Sequence, residues 1–134
     1  MSVLVDTSVW IEFFRATGSA AARWLTDAIG AEQELAWTEP VLFEVLVGAT
    51  SERHAAALRA SVARGSVVRV AGLADWEAAA SLARQARAAG RPIRSTVDCL
   101  IAAVAIRRGI PLATVDRDFL AIAEVAPLEL VPIE

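Results

Sequence analysis

Lysine is absent from this chain; all 13 basic residues are arginine. That removes the lysine of phosphate-cradling loops, Schiff-base catalysis and any lysine partner for a phosphoaspartate. Tyrosine is absent as well, which removes a phenolic nucleophile. The single cysteine, Cys99, excludes an internal disulfide and a cysteine-based zinc site, and its apolar surroundings read as those of a packed thiol. The single histidine, His54, lies in the polar run Ser51-Glu52-Arg53-His54-Ala55 and reads as a solvated side chain. No local motif makes it part of a Ser-His-Asp triad. No apolar run reaches the length of a bilayer span, so no membrane segment is expected. The start, Met1-Ser2-Val3-Leu4-Val5, has neither a basic n-region nor a small-residue cleavage site. It reads as a first strand, and the expected location is the cytoplasm. Chemistry is left to carboxylates, hydroxyls, arginines and a metal.

The 134 residues, 56% of them hydrophobic, suit one domain, 1–134, with a single buried core. No repeat or low-complexity linker interrupts them. Short apolar runs alternate with helical patterns. Strands are expected at Ser2–Val5, Glu34–Trp37, Ser66–Val70, Leu112–Val115 and Leu128–Val131. Helices are expected at Ser8–Ala16, Ser19–Gly30, from the Thr38 cap to about Gly48, and at Glu52–Ala63, Ala74–Ala89, Thr96–Arg108 and Asp118–Glu124. Such alternation predicts an α/β protein, a three-layer α/β/α sandwich around a mainly parallel sheet of about five strands. The net charge of −3 weighs against a nucleic-acid partner, although acids gathered at one site leave room for a basic face elsewhere.

Four acids are placed where solvation does not easily explain them. Asp6 ends the apolar run Ser2-Val3-Leu4-Val5. Either it or Ser8 caps the following helix, or it stands at a strand's carboxyl end, where open α/β sheets bind ligands. Glu44 interrupts Pro40-Val41-Leu42-Phe43 and Val45-Leu46-Val47-Gly48. A helix apolar nearly all round is expected to be buried, and a carboxylate in it needs a cation or an arginine. Asp98 follows Ser95 at capping-box spacing and enters a helix whose Val97, Leu100, Ile101 and Val104 form an apolar stripe. Asp116 follows Leu112-Ala113-Thr114-Val115, and Asp118, two residues on, reads as a cap for the last helix. Strand ends and helix starts in such a sheet converge on one rim. Carboxylates 4 Å apart repel by about 4 kcal/mol per pair at an effective dielectric near 20. A divalent cation relieves that repulsion, and an all-oxygen ligand set favours Mg²⁺ or Mn²⁺ over zinc.

Val3-Leu4-Val5-Asp6-Thr7-Ser8, Glu44 in its apolar helix, Ser95-Thr96-Val97-Asp98 and Leu112-Ala113-Thr114-Val115-Asp116-Arg117-Asp118-Phe119 together resemble the PIN domain, in particular the VapC-type toxins of toxin–antitoxin pairs. The resemblance runs through essentially the whole chain. It implies an acidic site of Asp6, Glu44, Asp98 and Asp116, with Asp6 and Asp98 as direct Mg²⁺ ligands. It makes Ser8 and Thr114 supporting hydroxyls and Asp118 an additional acid. It further implies an endoribonuclease working through metal-activated water, a VapB-type antitoxin that blocks the site, and a homodimer.

Arginine holds phosphates well through paired hydrogen bonds. Arg91 and Arg94 precede the Asp98 helix, Arg84 and Arg87 lie before them, and Arg117 follows Asp116. All are candidates to line the approach for RNA, and a solvated face is the alternative for each. Other readings are a PIN-like nuclease of RNA maturation, and a non-catalytic binding module whose acids only cap helices. A magnesium phosphatase or phosphoaspartate receiver is disfavoured by the missing lysine and the missing Asp-x-Asp-x-Thr pattern.

Overall fold

A computed structural model describes the whole chain, Met1–Glu134. The strands are β1 (Val3–Val5), β2 (Leu35–Trp37), β3 (Ser66–Val67) and β4 (Leu112–Ala113). The helices are α1 (Thr7–Phe14), α2 (Ala20–Gly30), α3 (Glu39–Val47), α4 (Glu52–Val62), α5 (Gly72–Ala88), α6 (Thr96–Arg108) and α7 (Arg117–Val125). The sheet order is β3-β2-β1-β4, and every pairing is parallel. Parallel neighbours require crossover connections, and the helices supply them. Helices α1 to α4 pack on one another in series, and α5, α6 and α7 form a second group. This is the expected α/β/α layering. No helix is long and apolar enough to cross a membrane.

The chain starts in the middle of the sheet, winds outward through β2 and β3, then returns to place β4 on the other side of β1. The order of strands therefore reverses between β1 and β4. Crevices form at such a switch point, outside the carboxyl ends of the strands. Asp6 follows β1 directly and Asp116 follows β4, so the topology sets both at this crevice.

Leu4, Val5, Val41, Ile101, Val104, Leu112, Phe119 and Ile122 are fully buried. Each such side chain contributes about 1.5–3 kcal/mol by leaving water. Cys99 is buried among them, as its apolar setting predicts. His54 is exposed and bonds locally to Thr50. Ser19, Ser51 and Ser95 cap their helices by accepting from the backbone of Ala22, His54 and Asp98, whereas Thr38, expected to cap α3, stands at the N-cap position without a capping side-chain bond. Gly65 is required by close approach, because a Cβ there would lie 1.9 Å from the Leu35 carbonyl oxygen.

Three expectations are modified, besides the strand expected over Leu112–Val115, which ends at Ala113. The strand expected over Ser66–Val70 ends at Val67, because the Val70 N–H is given to the Glu39 carboxylate at 2.9 Å. The strand expected over Leu128–Val131 is reduced to a parallel bridge between Leu112 and Leu130. The third concerns α3, which is not buried all round. Val41 and Val45 enter the core, but Phe43 and Val47 are 64% and 69% exposed. Nothing in the chain packs over that side of the helix, so its apolar composition does not imply full burial.

Candidate metal centre

Asp6 serves two purposes that the sequence presents as alternatives. Its side chain accepts from the Ser8 backbone N–H at 3.2 Å, which makes it the N-cap of α1. It is also 2% exposed at the end of β1. Ser8 Oγ donates to Asp6 Oδ2 at 2.6 Å and Thr114 Oγ1 donates to the same atom at 2.9 Å. These hydroxyls also accept from the β4 exit: Val115 N–H donates to Ser8 Oγ at 3.2 Å, and Asp116 N–H donates to Thr114 Oγ1 at 3.0 Å. The backbone groups that would extend β4 are thus spent on the site. Ser8 and Thr114 both support Asp6, and Asp6 Oδ1 takes none of these bonds.

Asp98 is 5% exposed in the first turn of α6. Its Oδ2 is buried and has no hydrogen-bond partner. Such a group bears an uncompensated desolvation cost of about 1–3 kcal/mol, and more when charged. Carboxylate oxygens of Asp98, Asp116 and Asp118 all lie within 4.8 Å of one another. Burial, followed by the charges of Asp116, Asp6, Glu44 and Asp118, pushes the Asp98 carboxyl up to about 8. Burial also raises Asp6, against the opposing hydrogen bonds from Ser8 and Thr114. Glu44 is half-buried, and its carboxyl is raised first by that burial and then by Asp6 and Asp116.

Asp116, not Asp118, caps the last helix: its Oδ1 accepts from the Asp118 N–H at 2.9 Å. Asp118, 9% exposed in the first turn of α7, is released to join the carboxylate group. The structure therefore brings Asp98, Asp116 and Asp118 into closest approach, with Asp6 and Glu44 at their border. An unpaired buried carboxylate oxygen among like charges fits a bound cation, and a donor set of oxygens alone fits Mg²⁺ or Mn²⁺.

Thr7, not singled out from the sequence, has a part in this arrangement. Its Oγ1 donates to Glu44 Oε1 at 2.7 Å and so fixes the Glu44 carboxylate over the crevice edge. The hydroxyl directly after Asp6 was the available signal, but its partner lies 37 residues away. Asp75 is a second acid the sequence reading passes over. It is 2% exposed and paired in two places with Arg107, at 2.8 and 2.9 Å, while its Oδ2 also accepts from the Ala71 N–H. The Arg107 hydrogen bonds hold the Asp75 carboxyl below its ordinary value. That pair ties α5 to α6 and is not part of the metal centre.

Arg91, Arg94 and Arg117 line one cleft together with Asp118. Arg84 and Arg87 do not line it; they lie exposed on α5. Arg91 is paired with Glu124.

The profile of the PIN domain matches residues 3–125. The chain belongs to the PIN-domain family, as a VapC-type member. It is 41% identical over 128 residues to VapC ribonuclease Mb1587 of Mycobacterium bovis, covering 95% of this chain and 96% of that protein. Ribonuclease VapC11 of Mycobacterium tuberculosis matches with the same identity and coverage. Among solved structures, VapBC2 from Rickettsia felis, bound to a DNA fragment from its promoter, superposes with a TM-score of 0.76 at 19% identity over the full length of both chains. VapBC-5 from Mycobacterium tuberculosis gives a TM-score of 0.67 at 25% identity, covering 98% of each chain. The acid-lined crevice at the β1/β4 switch is therefore set in a VapC-type PIN fold.

Proposed function

We propose that this chain is the toxin of a type II toxin–antitoxin pair and a metal-dependent endoribonuclease that hydrolyses RNA phosphodiester bonds. The observation that carries the reading is the partnerless Asp98 Oδ2 in a crowd of carboxylates at the sheet's switch point. Asp6, Glu44, Asp98 and Asp116 are the proposed catalytic acids, with Asp6 and Asp98 as metal ligands and Asp118 as an additional oxygen donor. Mg²⁺ is the proposed cofactor, with Mn²⁺ as a substitute. When bound, such an ion lowers the pKa of a coordinated water and neutralises charge on a phosphate.

The chain's own residues do the positioning. Ser8 and Thr114 hold one oxygen of Asp6, Oδ2. Thr7 orients Glu44. The α6 and α7 N-termini bring Asp98 and Asp118 in at positive dipole ends, which attract anionic groups. Glu44 stands at the rim, where a carboxylate can accept a proton from an attacking water.

The ribonuclease names of the 41%-identical relatives and the VapBC assembly of VapBC-5 support this reading. They also support a VapB-type antitoxin as partner. A homodimer belongs to the same proposal, and the apolar residues left outside, Phe43, Val47, Leu73 and Trp76, provide surface for such assemblies.

The test uses purified Asp6→Asn and Asp98→Asn, each checked for folding by circular dichroism and assayed on RNA with Mg²⁺ or Mn²⁺. Both are expected to retain the fold and lose cleavage, and EDTA is expected to stop the wild type. Full activity in either variant would remove that residue from the mechanism.

A further inference from the structure

The three arginines beside the metal centre are not equivalent, and their arrangement carries an inference that rests on the nuclease reading. Helix α5 ends at Ala88, and Gly90, at φ +79°, takes the left-handed turn that reverses the chain. The Arg91 N–H closes that turn on the Ala86 carbonyl at 2.9 Å. The reversed segment lies against the start of α7. Together they form a cleft of about 350 Å³ lined by Arg91, Pro92, Arg94, Arg117, Asp118 and Ala121.

Within that cleft Arg91 is committed to Glu124. Arg94 and Arg117 are exposed and have neither an ion-pair nor a hydrogen-bond partner in the chain. Two unpaired guanidinium groups thus line a cleft shared with Asp118, one of the three clustered carboxylates. A chain of net charge −3 places uncompensated positive charge here, one side chain away from its most acidic point. Guanidinium groups match phosphate by paired, charge-assisted hydrogen bonds.

We propose that Arg94 and Arg117 form a phosphate-binding subsite for the RNA strand, holding the phosphate next to the one at the metal centre. Arg91, braced by Glu124, forms the cleft wall. The subsite fixes the direction from which the strand enters: it crosses the start of α7 before it reaches Asp98.

The experiment measures binding of a short fluorescein-labelled single-stranded RNA of mixed sequence to the full chain by anisotropy. EDTA prevents cleavage, and the titration is repeated at several NaCl concentrations. Arg94→Ala and Arg117→Ala are each expected to weaken binding about tenfold. The double variant is expected to flatten the log–log salt slope by about 0.7, the value for one phosphate contact on a single strand. Arg94→Lys should keep the slope and lose part of the affinity, since it retains charge without the guanidinium fork. Arg84→Ala, outside the cleft, is the control for general charge loss. In Mg²⁺, the double variant should raise KM for RNA cleavage with kcat nearly unchanged, because the contact is remote from the reacting atoms. If the wild type cleaves RNA while the double variant binds with the slope and affinity of Arg84→Ala, the subsite is wrong and the nuclease reading stands. If the wild type fails to cleave RNA with either Mg²⁺ or Mn²⁺, the nuclease reading falls and the subsite with it.

Discussion

Replacing Asp98 by asparagine should make the metal-free protein more stable while destroying its proposed activity. The side chain is 5% exposed, and Asn has nearly the same shape. The partnerless Oδ2 is a cost to a neutral carboxylic acid and to an amide alike, so that cost largely cancels. What differs is ionisation. The Asp98 carboxyl is pushed from 3.8 to about 8, first by burial and then by its acidic neighbours. A carboxyl raised in the folded state contributes stability below the ordinary carboxylate range and loses it as pH climbs through that window toward about 8. Near pH 7 the unfolded chain ionises freely and the folded chain does not. Integrating over the roughly three pH units involved gives about 4 kcal/mol against the folded state. Asn carries no such cost. In EDTA near pH 7, Asp98→Asn should therefore melt about 15 °C above the wild type. Near pH 4 the two should melt together. Added Mg²⁺ at a hundredfold excess over Kd should stabilise the wild type by about 2.7 kcal/mol and the variant, which keeps Asp6, Asp116 and Asp118, by less. Differential scanning fluorimetry across pH, with and without Mg²⁺, reads all of this. Equal Tm values near pH 7 in EDTA would refute the crowded-carboxylate account of Asp98.

Three further outcomes follow from separate contacts. Thr7→Val removes the donor that fixes Glu44, and should lower kcat/KM for RNA about tenfold, with Thr7→Ser restoring it. Asp75→Asn weakens the α5–α6 ion pair and should cost about 2 kcal/mol in urea unfolding without changing kcat. Gly65→Ala drives a methyl group into the Leu35 carbonyl and should cost roughly 3 kcal/mol or more by thermal melting.

The helices were readable because their signals are local. Ser95 caps where its capping-box spacing predicts, and α6 runs over the residues expected. Strand lengths were less readable, because side chains far away decide where a ladder stops. Glu39 takes the Val70 N–H, and Ser8 and Thr114 take those of Val115 and Asp116. The acids stood out in the sequence because each follows an apolar strand or enters an apolar helix. Their division of labour did not. Whether Asp116 or Asp118 caps α7 depends on a turn geometry with little sequence signature, and the capping by Asp116 frees Asp118. Thr7–Glu44 and Asp75–Arg107 are contacts across 37 and 32 residues, which no local pattern encodes. Composition misled for α3, since it cannot show which side of a helix stays uncovered.

The hydroxyl stitching of Asp6 to Thr114 spans 108 residues, and Asp118 lies later still. The first hundred residues carry Asp6, Glu44, Asp98 and the Ser8 bonds to Asp6, yet lack the Thr114 bond and the carboxylates of Asp116 and Asp118. The acidic pocket is therefore complete only once β4 and the start of α7 are in place.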